Sequence, residues 1–132
     1  LTSANLSTAG AGFAALRFSL QAVSLNTTDG LDQLDYVRVE ISPNGGANWF
    51  NTLEVRGGND LFANSYWSYG ATGTAETSYD GNGTPVIVYA PANGNNPAGN
   101  STVIVRGLPV GIANLRVRIT LFSINLAGVL ER

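Results

Sequence analysis

A strict alternation of apolar and polar residues is the feature of this sequence that most restricts its fold. It is clearest in YVRVEIS at 36–42 and in LRVRITLF at 115–122, where apolar residues occupy one face and arginines the other. This period of two is that of a half-buried β-strand, whereas a helix repeats its apolar residues every three or four positions. The second segment should direct Leu115, Val117, Ile119 and Leu121 inward.

Further strand signals follow along the chain, separated by turn residues. Short runs of apolar and β-branched residues occupy 15–23, 49–56, 66–77, 86–90 and 102–108. Ser-Pro-Asn-Gly-Gly at 42–46 supplies the positive-φ positions of a tight turn, so the strands on either side should form an antiparallel hairpin. About seven strands without a helix predict an all-β fold, an antiparallel β-sandwich or barrel.

The composition limits what such a fold could catalyse. The 132 residues include no histidine, cysteine, methionine or lysine. The usual imidazole base, thiol nucleophile and Schiff-base lysine are therefore missing, and zinc, haem and iron–sulfur sites lose their usual ligands. A net charge of −2 provides no basic field for nucleic acid. We expect a protein that is not an enzyme, does not bind nucleic acid and has no membrane span.

The polar surface is built mainly from uncharged residues. Only 12% of the residues are charged, against about 25% in a typical soluble domain. Asparagine, threonine and serine together supply 35 of the 132 residues. This composition is typical of β-proteins outside the cell, so we expect an extracellular or cell-surface location.

Four segments, taken in order, resemble a known family. They are DYVRVEISPNGGANW at 35–49, ATGTAETSYDGNGTPVIVYAP at 71–91, STVIVRGLP at 101–109 and LRVRITL at 115–121. Their order is similar to that in concanavalin-like jelly-roll modules of large secreted bacterial proteins, often associated with type IX secretion systems. The resemblance implies a jelly-roll sandwich found beside enzymes, adhesins and surface layers, and it implies no single activity.

The resemblance also implies a sheet that is incomplete in this sequence. Modules of the family usually continue past a Glu-Arg pair into a closing strand, whereas this sequence ends at Glu131-Arg132. An open edge pairs readily with another strand, which a neighbouring chain could supply; alternatively, the sequence simply stops short of it. We assign 1–12 as a flexible or strand-donating N-terminal arm and 13–132 as a single β-sandwich domain. Residues 126–130 are a second possible donor.

Three aspartates ahead of the first clear strand form a possible metal site. Asp29, Asp32 and Asp35 could provide carboxylates to Ca²⁺, which takes six to eight oxygen ligands in proteins. Aspartate in turns also commonly bonds its own backbone, so both interpretations stay open. No other cofactor is expected.

A cluster of aromatic residues in the sequence forms a possible glycan site. Tyr66, Trp67, Tyr69 and Tyr79 could stack on sugar rings if their faces are exposed. Strand alternation places neighbouring residues on opposite faces, so at least one set of these rings would instead belong to the core.

Two carboxylates should share the outward face of the central hairpin. Glu40 and Glu54 could form the acid pair of a glycosidase, which needs carboxylates about 5–10 Å apart. Arg38 and Arg56 lie on the same face, however, and cross-strand ion pairs explain such a pattern more simply.

Two hypotheses of function follow from these features. The first is a non-catalytic structural subunit of a cell surface or filament, acting in adhesion or scaffolding and self-associating through sheet edges or termini. The alternative is a calcium-stiffened carbohydrate-binding accessory module of a secreted protein.

Overall fold

The computed structural model describes residues 1–21, 35–56, 74–89 and 100–122, which form two packed β-sheets. These ranges hold seven strands and no helix. The strands are β1 (Leu16–Gln21), β2 (Tyr36–Ser42), β3 (Phe50–Arg56), β4 (Thr74–Ser78), β5 (Val86–Tyr89), β6 (Asn100–Arg106) and β7 (Arg116–Phe122). The predicted all-β sandwich is confirmed. The strand predicted at 66–77 lies largely outside the described residues, and the other predicted bounds agree within two residues.

The two sheets contain three and four strands. The smaller sheet has the order β1-β6-β4, and the larger sheet has the order β5-β3-β2-β7. Three neighbouring pairs are antiparallel, but β3 with β5 and β4 with β6 are parallel. This differs from the purely antiparallel pairing expected from the sequence. The chain alternates between the sheets from β3 to β7, so every second strand returns to the same sheet in the same direction.

The core lies between the inner faces of the two sheets. Its members are apolar side chains that are at most 7% exposed: Val37, Val39, Ile41, Leu53, Val55, Ala75, Val103, Val105, Leu108, Leu115 and Val117. Burying one valine, leucine or isoleucine fully contributes about 1.5–3 kcal/mol, so these residues are the main stabilising term of the sandwich.

One inward position predicted for β7 is wrong. Leu121 is 73% exposed, although Val37, its partner on β2, is only 3% exposed. The buried core therefore ends between these two side chains. Leu121 is the penultimate residue of β7, and strand alternation alone does not show where the opposite sheet stops covering a strand.

A β-bulge interrupts the pairing of β2 with β3. Val39 pairs with Leu53, but the next residue, Glu40, pairs with Asn51. Thr52 is thus an additional residue on β3, and such an insertion reverses the alternation on one side of the bulge. Without it, Asn51 would point into the core like Leu53. The bulge instead places Asn51 on the outer face of the larger sheet.

Candidate functional site

Residues 1–8 of the N-terminal arm lie along the outer edge of β7. Leu6 N donates to Leu115 O at 2.8 Å, and Leu115 N donates back to Leu6 O at 3.1 Å. Ser3 N donates to Val117 O at 2.9 Å. The arm thereby extends the larger sheet beyond β7, and this edge is paired with the arm of the same chain.

Main-chain hydrogen bonds, rather than buried side chains, hold this arm. Among residues 1–8 only Thr8 is buried, whereas Leu1 is 89% exposed and Leu6 is 43% exposed. One hydrogen bond contributes only about 0.5–1.5 kcal/mol net. The attachment therefore depends on several bonds acting together, and two arm side chains take part in it: Ser3, whose Oγ accepts from Val117 N at 3.0 Å, and Thr8.

Thr8 is the point at which the arm is fixed most firmly. Its Oγ1 donates to Pro109 O at 2.9 Å, and its backbone N donates to Ile112 O at 2.7 Å. Gly111 N returns a hydrogen bond to Thr8 O at 2.9 Å. Beyond Thr8 the chain turns through Gly10, whose φ of +76° favours glycine. The arm thus has one buried anchor next to a glycine turn.

A buried carboxylate organises the outer face of the larger sheet. Glu54 is 3% exposed. Its Oε1 accepts from Arg38 Nε at 2.9 Å and from Asn51 Nδ2 at 2.8 Å, and its Oε2 accepts from Arg56 Nη2 at 2.7 Å. Cross-strand ion pairing, expected from the sequence, is confirmed, and one carboxylate serves two arginines.

The surroundings of Glu54 do not suit a general acid. Burial raises the pKa of Glu54, but hydrogen bonds from Arg56, Asn51 and Arg38 lower the pKa by more, so the net shift is downward. A glycosidase acid needs the opposite shift. Among the described residues the Oδ1 atom of Asn51 is buried without a hydrogen-bond partner, which costs stability at this cluster.

Glu40 forms the second ion pair of this face, with β7. Arg118 donates from Nε to Oε2 and from Nη2 to Oε1 of Glu40, both at 2.7 Å. This bidentate geometry raises the pKa of Arg118. The guanidinium also lies 4.3 Å from the centroid of the Trp49 ring, in a cation–π contact.

The ends of the same face carry a further arginine and an aromatic pair. Arg116 donates from Nε to Ser3 O and from Nη1 to Gly45 O, both at 3.2 Å. At the opposite end Tyr36 stacks on Phe122, with ring centroids 4.8 Å apart. Arg116 therefore connects the N-terminal arm to the turn of the β2–β3 hairpin.

The residues proposed for calcium lie only partly within the described chain. Asp29 and Asp32 lie outside the described residues, and Asp35 is fully buried immediately before β2. Within the four described ranges, no group of three or more acidic side chains is arranged to hold a metal ion. The calcium prediction stays a prediction.

The residues proposed for glycan binding are similarly divided. Tyr66, Trp67 and Tyr69 lie outside the described residues. Tyr79 is half-buried against the core, and its ring meets Phe50 edge-on at 6.1 Å. Burial, with the charge of Asp80, raises the pKa of the Tyr79 hydroxyl. Tyr79 therefore packs against the sandwich.

Sequence reasoning missed two members of the outer face, Asn51 and Trp49. Both reach this face because of the bulge, which has no reliable local signal. Arg116 was predicted to point outward, but its bonds to two distant loops could not be read from the alternation.

Comparisons with known proteins match this chain to no family model, no curated protein and no solved structure. The strand order and pairing by themselves define the class of the fold, a β-sandwich whose two sheets each contain parallel and antiparallel strands. In the described parts of the chain, no helix has the length and apolar character needed to cross a bilayer.

Proposed function

We propose that this chain is a non-catalytic, extracellular structural module that self-associates through its sheet edges, as a cell-surface or filament subunit acting in adhesion or scaffolding. The observation that supports the proposal most strongly is the pairing of the N-terminal arm with β7. An added edge strand is held by main-chain hydrogen bonds, which the same segment of another copy could make equally well. Exchange of arms between copies would keep every one of these contacts.

The connection between the arm and β1 is suited to such an exchange. Ala11 N donates to Thr8 O at 3.1 Å, which closes a single turn around Gly10. A Cβ at Gly10 would meet nothing within 4 Å, so no other part of the described chain packs against the turn at this position. Opening a short hinge is the usual route by which identical elements swap between protomers.

A second edge in the larger sheet also favours association. Within the described residues, no strand pairs with the outer edge of β5. This strand exposes Val86 by 45% and Ile87 by 43%. Exposed apolar edge strands are templates for pairing with another chain. The low charge of the surface supports the same proposal, because few charges need to lose water when subunits pack.

Single-cysteine copies test the exchange directly, because the chain has no cysteine of its own. Thr2 is the bridge partner of Arg118, and directly opposed antiparallel residues lie within disulfide range. Unlabelled Thr2→Cys chains are unfolded and refolded together with isotopically heavy Arg118→Cys chains. We expect a light–heavy disulfide, and electron microscopy of concentrated wild-type protein should show assemblies.

The matched control replaces Arg118→Cys with Ser78→Cys, an exposed position on β4 in the other sheet. If Arg118→Cys and Ser78→Cys give equal yields of the light–heavy disulfide with Thr2→Cys, the cross-link reflects random collision. A protein that is monomeric at every concentration and gives no light–heavy product would contradict the proposal.

The alternative function, a calcium-stiffened carbohydrate-binding module, stays a prediction. It is tested on a glycan array in calcium buffer with Trp67→Ala and Tyr69→Ala. Loss of a wild-type signal in both variants would support it, and absence of any wild-type signal would count against it.

A further inference from the structure

The outer face of the larger sheet carries an excess of positive charge in a chain that is negative overall. Of the six arginines and five acidic residues that the structure describes, four arginines lie on it together with two acidic residues, Glu40 and Glu54. Counted over the described residues, the face therefore has two positive charges in excess, whereas the whole chain has a net charge of −2. The four residues are Arg38, Arg56, Arg116 and Arg118, which we call the arginine line.

The strand register places these four side chains in sequence across the sheet. Arg56 on β3 lies opposite Tyr36, and Arg38 follows two residues later on β2. Arg118 and Arg116 on β7 lie opposite the next two outward positions of β2, Glu40 and Ser42. Two residues of a strand span about 7 Å, so the arginine line has a nearly regular repeat from one end of the sheet to the other.

Within the part of the chain that the structure describes, the ion pairs of this face leave N–H donors of the arginines unused. Arg38 and Arg56 direct Nε and Nη2 to the one carboxylate of Glu54, and Arg118 uses the same two nitrogens on Glu40. A guanidinium has five N–H donors. The three side chains are 33%, 35% and 36% exposed, so about a third of each is accessible to a ligand.

Arg116 adds a charge that forms no ion pair with any of the described carboxylates. Its two hydrogen bonds go to the backbone carbonyls of Ser3 and Gly45, which satisfy donors but do not neutralise the guanidinium. The excess charge is therefore divided between the two ends of the arginine line: Arg116 at one end, and the two arginines that share Glu54 towards the other.

The aromatic rings on this face are already in contact with other groups. Arg118 covers Trp49 at 4.3 Å, and Tyr36 contacts both Arg38, at 4.7 Å, and Phe122, at 4.8 Å. Stacking on bases, which single-stranded nucleic acid binding requires, is therefore less suited to this surface than recognition of charge. The guanidinium fork matches carboxylate and sulfate oxygens in particular.

We propose that the arginine line binds an acidic polysaccharide, a chain of uronate or sulfated sugars whose anionic groups recur along its length. The flat, extended face suits a long ligand, and the two unneutralised ends attract it at separate points. The proposal does not depend on exchange of the arm, because three of the four arginines make no hydrogen bond to the arm. Either proposal could fail without the other.

The binding test uses four polymers: alginate, dextran sulfate, unmodified dextran and single-stranded DNA. Wild-type protein should bind one or both of the acidic polysaccharides, with an affinity that falls as salt is added. The double variant Arg56→Gln/Arg116→Gln should bind about tenfold more weakly, or about 1.4 kcal/mol. Its circular dichroism should match that of the wild type.

The control variant Arg17→Gln/Arg106→Gln removes two exposed arginines from the smaller sheet and changes the net charge equally. It should keep the wild-type affinity within about twofold. Equal weakening of both double variants, equal binding of unmodified dextran, or tighter binding of DNA than of either acidic polysaccharide would overturn the proposal.

A second measurement needs no variant and keeps the proposal testable if the first double variant does not fold. In nitrogen-15 NMR of the wild-type chain, the Nε–H signals of Arg38, Arg56, Arg116 and Arg118 should shift as the acidic polysaccharide is added. Those of Arg17 and Arg106 should stay in place. Shifts confined to Arg17 and Arg106, or no shifts at all, would refute the proposal that the arginine line binds the polysaccharide.

Discussion

Replacing Glu54 with glutamine tests whether a buried carboxylate holds the central hairpin together. Glu54 accepts four hydrogen bonds, from Arg38 Nε, from Asn51 Nδ2 and from Nε and Nη2 of Arg56. A glutamine keeps the size and one acceptor oxygen but loses the charge, and its amide group then faces N–H donors. Two arginines would be left without their shared counter-ion.

The expected loss of stability is about 2 kcal/mol. Hydrogen bonds to a charged group contribute about 1.5–3 kcal/mol each when removed singly. Both arginines are about one third exposed, so in the variant they recover hydration and most of this loss is offset. For a domain of this size, a change of that magnitude lowers the melting temperature by about 6–12 °C.

The pH dependence of the loss identifies its cause. The pKa of Glu54 is lowered in the folded protein, so its contribution is present above the unfolded pKa of about 4.3 and is lost as the pH falls through the folded value. Urea denaturation of wild type and Glu54→Gln at pH 7 should differ by the full amount. The difference should shrink as the pH is lowered below about 4.

The matched control is Glu76→Gln. Glu76 pairs with Arg106 on the smaller sheet, but both side chains are well exposed, at 43% and 50%. Exposed ion pairs contribute about 0–1 kcal/mol. If the two variants lose equal stability at pH 7, or if the Glu54→Gln loss does not change with pH, the reasoning is wrong.

Three further predictions concern the core and the arm. Leu53→Ala should destabilise the fold by about 2–5 kcal/mol, while Leu121→Ala, at an exposed position, should change stability by less than about 0.5 kcal/mol; urea denaturation compares the two. Thr8→Val should lose about 1–2 kcal/mol, because the carbonyl of Pro109 loses its hydroxyl donor, and hydrogen exchange of the arm amides should accelerate. Gly10→Ala should destabilise the turn by about 1 kcal/mol through its positive φ alone, and unchanged thermal stability would show that the turn relaxes.

Much of the sandwich could be predicted because two properties are local: whether a segment forms a strand, and which of its side chains share a face of the sheet. The alternation in β2 correctly assigned Val37, Val39 and Ile41 to the core. Alternation in the hairpin also placed Arg38 and Glu54 on the outer face, so the ion pair between these two residues followed from spacing alone. The pairing of Glu40 with Arg118 instead depends on β7 lying beside β2. A period of two in the sequence translates directly into two faces of a sheet.

The sequence by itself thus determined the strands, the β2–β3 hairpin and the presence of arginine and glutamate together on its outer face. Only the tertiary structure decided which strands are neighbours, where the bulge falls and what covers β7. The bulge brings the Asn51 side chain within hydrogen-bonding distance of the Glu54 carboxylate, and the arm places Leu6 beside Leu115. These features depend on pairings between residues far apart in the chain, whose stability is set by the packing of the whole sandwich and not by any local pattern.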